Sequence, residues 1–242
     1  MKPTALLRSS AAFLCILYVC VSTFAQQRPQ GIHPSYVSIE MKTDTLDSQP
    51  TTNTICGGVV ANVAFKLIAT AWHCVPNQRS VIEKPGIFSI NGMNAKFITF
   101  SAEGDVALFK VDDLKGLKAP QFKIPKKGDI IVASAYYNEF PVFTGSGDRF
   151  TPLMSIRVVL DWEGEVSAVA NANRRGGEQF DKVTATEFEW IVAKGISAPG
   201  FSGGPVFDKS GNFIGLISST NGGFTTISSS KNVTMLIKKL LP

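Results

Sequence analysis

The 242 residues are 44% hydrophobic and 18% charged, enough apolar side chain for a buried core and too little charge for a disordered chain. The 21 glycines and 13 prolines follow no period, which excludes collagen-like and low-complexity chains. A formal charge of +5, or +3 without Lys2 and Arg8, is an ordinary surplus and no basis for nucleic-acid binding.

The chain opens with Lys2 and Arg8, then the apolar run Ala11 to Val21, then Ser22-Thr23-Phe24-Ala25 and polar Gln26 and Gln27. This order reads as an export signal over residues 1–25, cleaved after Ala25. The apolar run, 11 residues, is shorter than the roughly 20 needed to span a bilayer. The mature protein is therefore expected to be secreted or periplasmic, with no membrane attachment. Two of the four cysteines, Cys15 and Cys20, fall in the signal, leaving Cys56 and Cys74. In an exported chain such a pair suggests one disulfide. The alternative is a metal site on Cys56, Cys74 and His73, which lacks C-x-x-C pairs and a fourth ligand, so no metal is expected.

From Cys56 onward short apolar runs alternate with turn residues. Strands are expected at Gly58 to Val60, Phe65 to Ala69, Val81-Ile82 and Phe88 to Ile90, with Asn91-Gly92 as a hairpin turn. Further strands are expected at Asp105 to Val111, Ile130 to Ala133, Ile156 to Leu160, Thr184 to Val192 and Phe213 to Ile217. Many short strands at this spacing point to an all-β sandwich or barrels. The stretch Leu114 to Lys127 reads as a connector between two β units, and Asn171 to Gly177 as an exposed loop. Val233, Leu236, Ile237 and Leu240 have helical spacing, with serines 228 to 230 available as caps. The domains expected are 26–118 and 119–242.

Three patterns carry chemistry. Gly200-Phe201-Ser202-Gly203-Gly204-Pro205 places a serine among glycines. A serine hydroxyl needs a base to take its proton and backbone N–H groups to receive an oxyanion, and glycines allow the tight turn that aims them. Ile68-Ala69-Thr70-Ala71-Trp72-His73-Cys74 ends an apolar strand at a histidine, one of only two, with His33. Gly104-Asp105-Val106-Ala107-Leu108 offers a carboxylate to orient an imidazole. The glycine-serine string also fits the α/β-hydrolase elbow, but that fold needs a histidine after the serine and none follows Ser202. The order His73, Asp105, Ser202 remains.

These segments resemble the trypsin-like, chymotrypsin-fold serine proteases. Residues Ala69 to Cys74 resemble their T-A-A-H-C segment, Asp105 to Leu108 their D-[IV]-A-L strand, and Gly200 to Pro205 their G-[DN]-S-G-G-P loop. Cys56-Gly57-Gly58 resembles the C-G-G opening whose cysteine pairs with the one after the histidine. The resemblance is strongest to bacterial HtrA-type and glutamyl endopeptidase relatives, here without room for a PDZ domain after Ser202. It implies two antiparallel six-stranded β-barrels, followed here by the C-terminal helix. The first barrel carries His73 and Asp105 and the second carries Ser202. It implies a serine endopeptidase acting on protein or peptide substrates without a cofactor. Ser202 is then the nucleophile, His73 the base and Asp105 the orienting group. The N–H groups of Gly200 and Ser202 form the oxyanion hole, Ile196 is the pocket floor, and Ser218, Ser219 and Thr220 are a wall. Phe201 stands where family zymogens keep an aspartate, and Trp72 where they keep a small residue. The second reading is a protease-like protein that only binds.

Overall fold

The structure is a computed structural model that describes residues 32–41, 54–75, 78, 87–90, 92–144, 151–171, 174–175, 179–180, 187–198 and 200–241. Every element lies in the unit His33–Pro242. The expected export signal, the Val81-Ile82 strand and residues 184–186 of the Thr184 to Val192 strand lie outside the described residues.

The chain forms the expected two antiparallel six-stranded barrels and a C-terminal helix. In the first, β1 (Tyr36–Met41), β2 (Thr54–Asn62), β3 (Leu67–Thr70), β4 (Ile87–Ile90), β5 (Met93–Ser101) and β6 (Val106–Val111) close in the order β1-β2-β3-β6-β5-β4. In the second, β7 (Ile130–Thr144) and β8 (Thr151–Asn171) form a long hairpin. A two-residue ladder of β9 (Arg174–Arg175) and β10 (Gln179–Phe180) follows. Then come β11 (Glu189–Lys194), β12 (Pro205–Asp208), β13 (Phe213–Asn221) and β14 (Phe224–Ser229). This barrel closes in the order β11-β14-β13-β12-β7-β8. Helix α1 (Ser230–Leu240) ends the chain.

Strand alternation decides what each residue meets. On β5, Met93, Ala95 and Phe97 are buried while Asn94 and Lys96 are exposed. From Val106 to Phe109 β6 is buried on both faces, which is why that stretch reads as a continuous apolar run; Lys110 is exposed. Its Ala107, Phe109 and Val111 fill the first barrel, and its Val106 and Leu108 face a second cluster. That cluster is the seam between barrels: Val59, Leu67 and Ala69 meet Phe207, Phe213 and Leu216, and Val233, Leu236 and Ile237 of α1 pack on it. The helix therefore buries the stripe its spacing predicts. Ser229 is its N-cap, accepting from the Lys231 N–H at 3.2 Å.

Several boundaries differ from the sequence reading. Phe65 and Lys66 form a turn, with Phe65 45% exposed and Lys66 at φ +55°, because β2 and β3 pair from Asn62 and Leu67. Asp105 lies in the turn before β6, not in the strand. Arg174 and Arg175, expected in a loop, pair with Phe180 and Gln179.

Candidate active site

β3 is buried along its whole length and delivers the chain through Ala71 into a single 3-10 turn, Trp72–Cys74. The Cys74 N–H to Ala71 O and Val75 N–H to Trp72 O bonds close this turn at 3.2 and 3.0 Å. Trp72 is 7% exposed and stacks on Phe100 at a centroid distance of 4.0 Å. The large ring thus anchors the turn in the first barrel's core, and the adjacent His73 side chain, one-third exposed, is held at the surface. A disulfide joins Cys74 to Cys56 on β2, which removes both thiolates that the metal alternative would need.

Asp105 is 1% exposed, and its carboxylate accepts from His73 and Ser218. The His73 backbone N–H donates to Oδ1 at 2.9 Å and the His73 Nδ1–H to Oδ2 at 2.8 Å. The Ser218 hydroxyl, from β13, donates to Oδ2 at 2.5 Å. An ionised carboxylate only accepts, so the bond to Nδ1 leaves Nε2 with a lone pair. A buried charge is tolerated only with such partners.

Ser202 lies on the loop between β11 and β12. The Phe201 N–H donates to Ala198 O at 3.2 Å, and Gly200 has φ +94°, in the left-handed region that glycine adopts without a Cβ penalty. Phe201 itself is 2% exposed in the second barrel's core. Among the described residues, neither the Gly200 N–H nor the Ser202 N–H donates to a protein acceptor. The loop is seated on the first barrel by the Gly57 N–H, which donates to Ser202 O at 2.9 Å. Gly57 and Gly204 cross so closely that a Cβ on Gly57 would collide with the Gly204 backbone. Thr70 Oγ1 completes the seat by donating to Gly57 O at 2.7 Å.

The structure thus brings His73, Asp105 and Ser218 into one hydrogen-bonded set. No hydrogen bond joins Ser202 Oγ to His73 Nε2 among the described residues; a neighbour of Nε2 is Cys74 Sγ at 3.9 Å. Ile196 is 67% exposed, whereas a pocket floor is a buried position. The buried member of that segment is Ser197, whose hydroxyl meets Thr220 Oγ1 at 2.5 Å. Its N–H donates to Thr225 Oγ1 at 3.1 Å, and Thr225 donates to Gly195 O at 2.8 Å. Ser219 and Thr220 are exposed. Sequence reasoning missed the contacts of Thr70 and Thr225, because the partners of both hydroxyls, Gly57 O and Gly195 O, are distant in the chain.

The second histidine is elsewhere. His33 stacks on Phe207 at 3.9 Å, and the Ser35 hydroxyl lies 2.7 Å from its Nδ1. Burial pushes its pKa below the ordinary value, against a smaller opposing effect of its bond to the Gly211 backbone.

A comparison with curated proteins finds no match. Among solved structures, the HtrA-type protease AlgW with tripeptide is similar, with a TM-score of 0.57 and 19% identity. The likeness covers 87% of this chain and 61% of that one, so this chain spans about three fifths of that protein's length. At this identity the likeness is one of fold. The model of the trypsin-like peptidase domain matches residues 56–216. That stretch runs from Cys56 through His73, Asp105 and Ser202 into β13 and covers about two thirds of the chain, which therefore belongs to the trypsin-like peptidase family.

Proposed function

We propose that this protein is an exported serine endopeptidase in which Ser202 attacks, His73 moves the proton and Asp105 holds His73. The observation that carries the reading is the Asp105 carboxylate, which accepts from His73 Nδ1 and from Ser218 and leaves Nε2 as the basic nitrogen. Ser202 Oγ bonds to the scissile carbonyl carbon as Nε2 takes its proton. The oxyanion is received by the N–H groups of Gly200 and Ser202. The C–N bond breaks as His73 returns the proton to the leaving amine, leaving an acyl-enzyme. Water, deprotonated by His73, bonds to the acyl carbon; the ester bond to Ser202 Oγ breaks as His73 returns the proton to Oγ, releasing the acid. Export rests on residues 1–25 and agrees with a disulfide, which persists in oxidising compartments. Cleavage is expected after small or medium apolar residues such as Ala, Val or Leu. The Gly195 to Ala198 segment has no carboxylate to attract Lys or Arg, and His33 is engaged with Ser35 and Phe207. Apolar pockets discriminate by about 1–3 kcal/mol per methylene, so this preference is graded.

One observation favours the second reading, a protein that only binds: the missing Ser202–His73 hydrogen bond. Such bonds commonly tighten only with substrate in place. A fluorophosphonate probe separates the two readings. Labelling of the wild type and none of Ser202→Ala is expected, with peptide hydrolysis lost in parallel. An unlabelled, folded wild type leaves the binding protein.

A further inference from the structure

Asp105 holds an uncommon backbone conformation. Its φ is +49°, in the left-handed region that disfavours a residue with a Cβ. Its own turn contributes two bonds: the Asp105 N–H donates to Ala102 O at 3.2 Å, and the Gly104 N–H to Ser101 Oγ at 3.0 Å. Ala102 and Glu103 are exposed and give the turn little packing. What fixes it comes from the second barrel. Phe188 lies against Gly104, close enough that a Cβ there would meet its ring at 2.8 Å. The Ser228 hydroxyl donates to Gly104 O at 2.5 Å, from a residue 124 positions away.

Ser228 is well placed to be a fixed donor. It sits in β14 opposite Leu216 and Trp190, is fully buried, and shares the seam-facing side of the strand with Leu216, while Ile227 fills the barrel. It also accepts from Asn232 Nδ2 at 3.2 Å, and Asn232 donates to Glu189 O at 2.8 Å. The Gly104 carbonyl belongs to the peptide unit whose N–H is that of Asp105. Rotating that peptide would redirect the Asp105 side chain away from His73.

We infer that Ser228 is a positioning residue. By holding the Gly104–Asp105 peptide, it keeps the Asp105 carboxylate aimed at His73 Nδ1, so the second barrel sets the orienting group carried by the first. This rests on the serine-peptidase reading for its catalytic consequence, though not for its geometric one.

The test compares Ser228→Ala and Ser228→Thr with the wild type, alone and on an Asp105→Asn background. In Ser228→Ala, kcat is expected to fall at least about tenfold with KM within about twofold, since the interaction acts on the proton-transfer machinery and not on substrate binding. Ser228→Thr, which keeps the hydroxyl, restores most of the rate. On the Asp105→Asn background the alanine change lowers kcat little further, because the two act as a unit. A second readout needs no activity. With only two histidines, the Nδ1–H proton resonance of His73 can be assigned by replacing His33, and it should shift or broaden in Ser228→Ala but not in Ser228→Thr. Unchanged kcat and an unchanged resonance overturn the inference. So does an Ser228→Ala protein that fails to fold, which makes Ser228 a fold residue. If the wild type neither cleaves nor labels, the peptidase reading fails and the resonance alone decides the geometric claim.

Discussion

Phe201 sits between Gly200 and Ser202, whose N–H groups we propose as the oxyanion hole, and its side chain enters the second barrel's core. Its N–H is held by Ala198 O at 3.2 Å, and its carbonyl accepts from the Gly204 N–H at 2.8 Å. The backbone entering Ser202 is therefore held by these two bonds and by burial of the Phe201 ring. The described core residues around it are apolar, so an aspartate side chain there would be a charge buried among them. Removing a buried phenylalanine ring costs about 3–5 kcal/mol. Phe201→Ala should lose that much stability in urea unfolding and label with a fluorophosphonate more slowly. A loss below about 1 kcal/mol means the loop is not anchored there.

At the scale of elements, α1 joins the seam by more than its apolar stripe. Asn232, 1% exposed, donates from Nδ2 to Glu189 O and accepts from the Glu189 N–H at 2.9 Å through Oδ1. It therefore bonds both main-chain groups of the first residue of β11, whose strand neighbour on the other side is Asn171 of β8. Ser229 adds a hydroxyl to Glu189 Oε1 at 2.6 Å. Asn232 also heads an N-x-T sequon, but its amide is committed to these bonds. Leaving buried polar groups unpaired costs about 1–3 kcal/mol. Asn232→Ala is expected to lower stability by that amount in chemical denaturation, and a change within experimental error would show that α1 docks by its apolar face alone.

At the scale of the whole molecule, Asp208 ties the connector between barrels to the second barrel. Lys123 Nζ, on the connector, donates to its Oδ2 at 2.8 Å, and Asn212 and Ser210 also donate to the carboxylate. Burial works to raise the Asp208 pKa, but the bonds from Asn212, Lys123 and Ser210 outweigh it and hold the carboxyl well below the usual carboxylate range. A depressed carboxyl contributes stability that is complete above its unfolded pKa, about 3.9, and is lost as pH falls through the folded value. The unfolding free-energy gap between wild type and Asp208→Asn should be constant from about pH 5 to 8 and narrow below about pH 4. A gap that widens in acid contradicts the sign. The Cys56–Cys74 bridge, closing 18 positions, adds about 3 kcal/mol by chain entropy.

His73, Asp105 and Ser202 could be proposed from the sequence because the chemistry of such a site demands particular residue types beside particular neighbours, and those neighbours are adjacent in the chain. The all-β class, the helix and the pairing of the cysteines were legible for the same local reason: strand alternation, helical spacing and a count of two. What the sequence could not state is where polar groups find partners across the seam. Phe224–Ser229 is rich in serine and threonine, yet it becomes a central strand because β11 and β13 pair with both its edges. The resemblance implies Ile196 as a pocket floor; its side chain is exposed, while Ser197 and Thr225 are buried and bonded to each other. The bond from Ser228 to Gly104 forms only when the two barrels close on each other, since a hydrogen bond spanning 124 residues depends on docking and not on local propensity. Residue identity determined which groups can do the chemistry. Tertiary packing decided their aim, because orientation in a buried site is set by the groups that fill the remaining hydrogen-bonding positions.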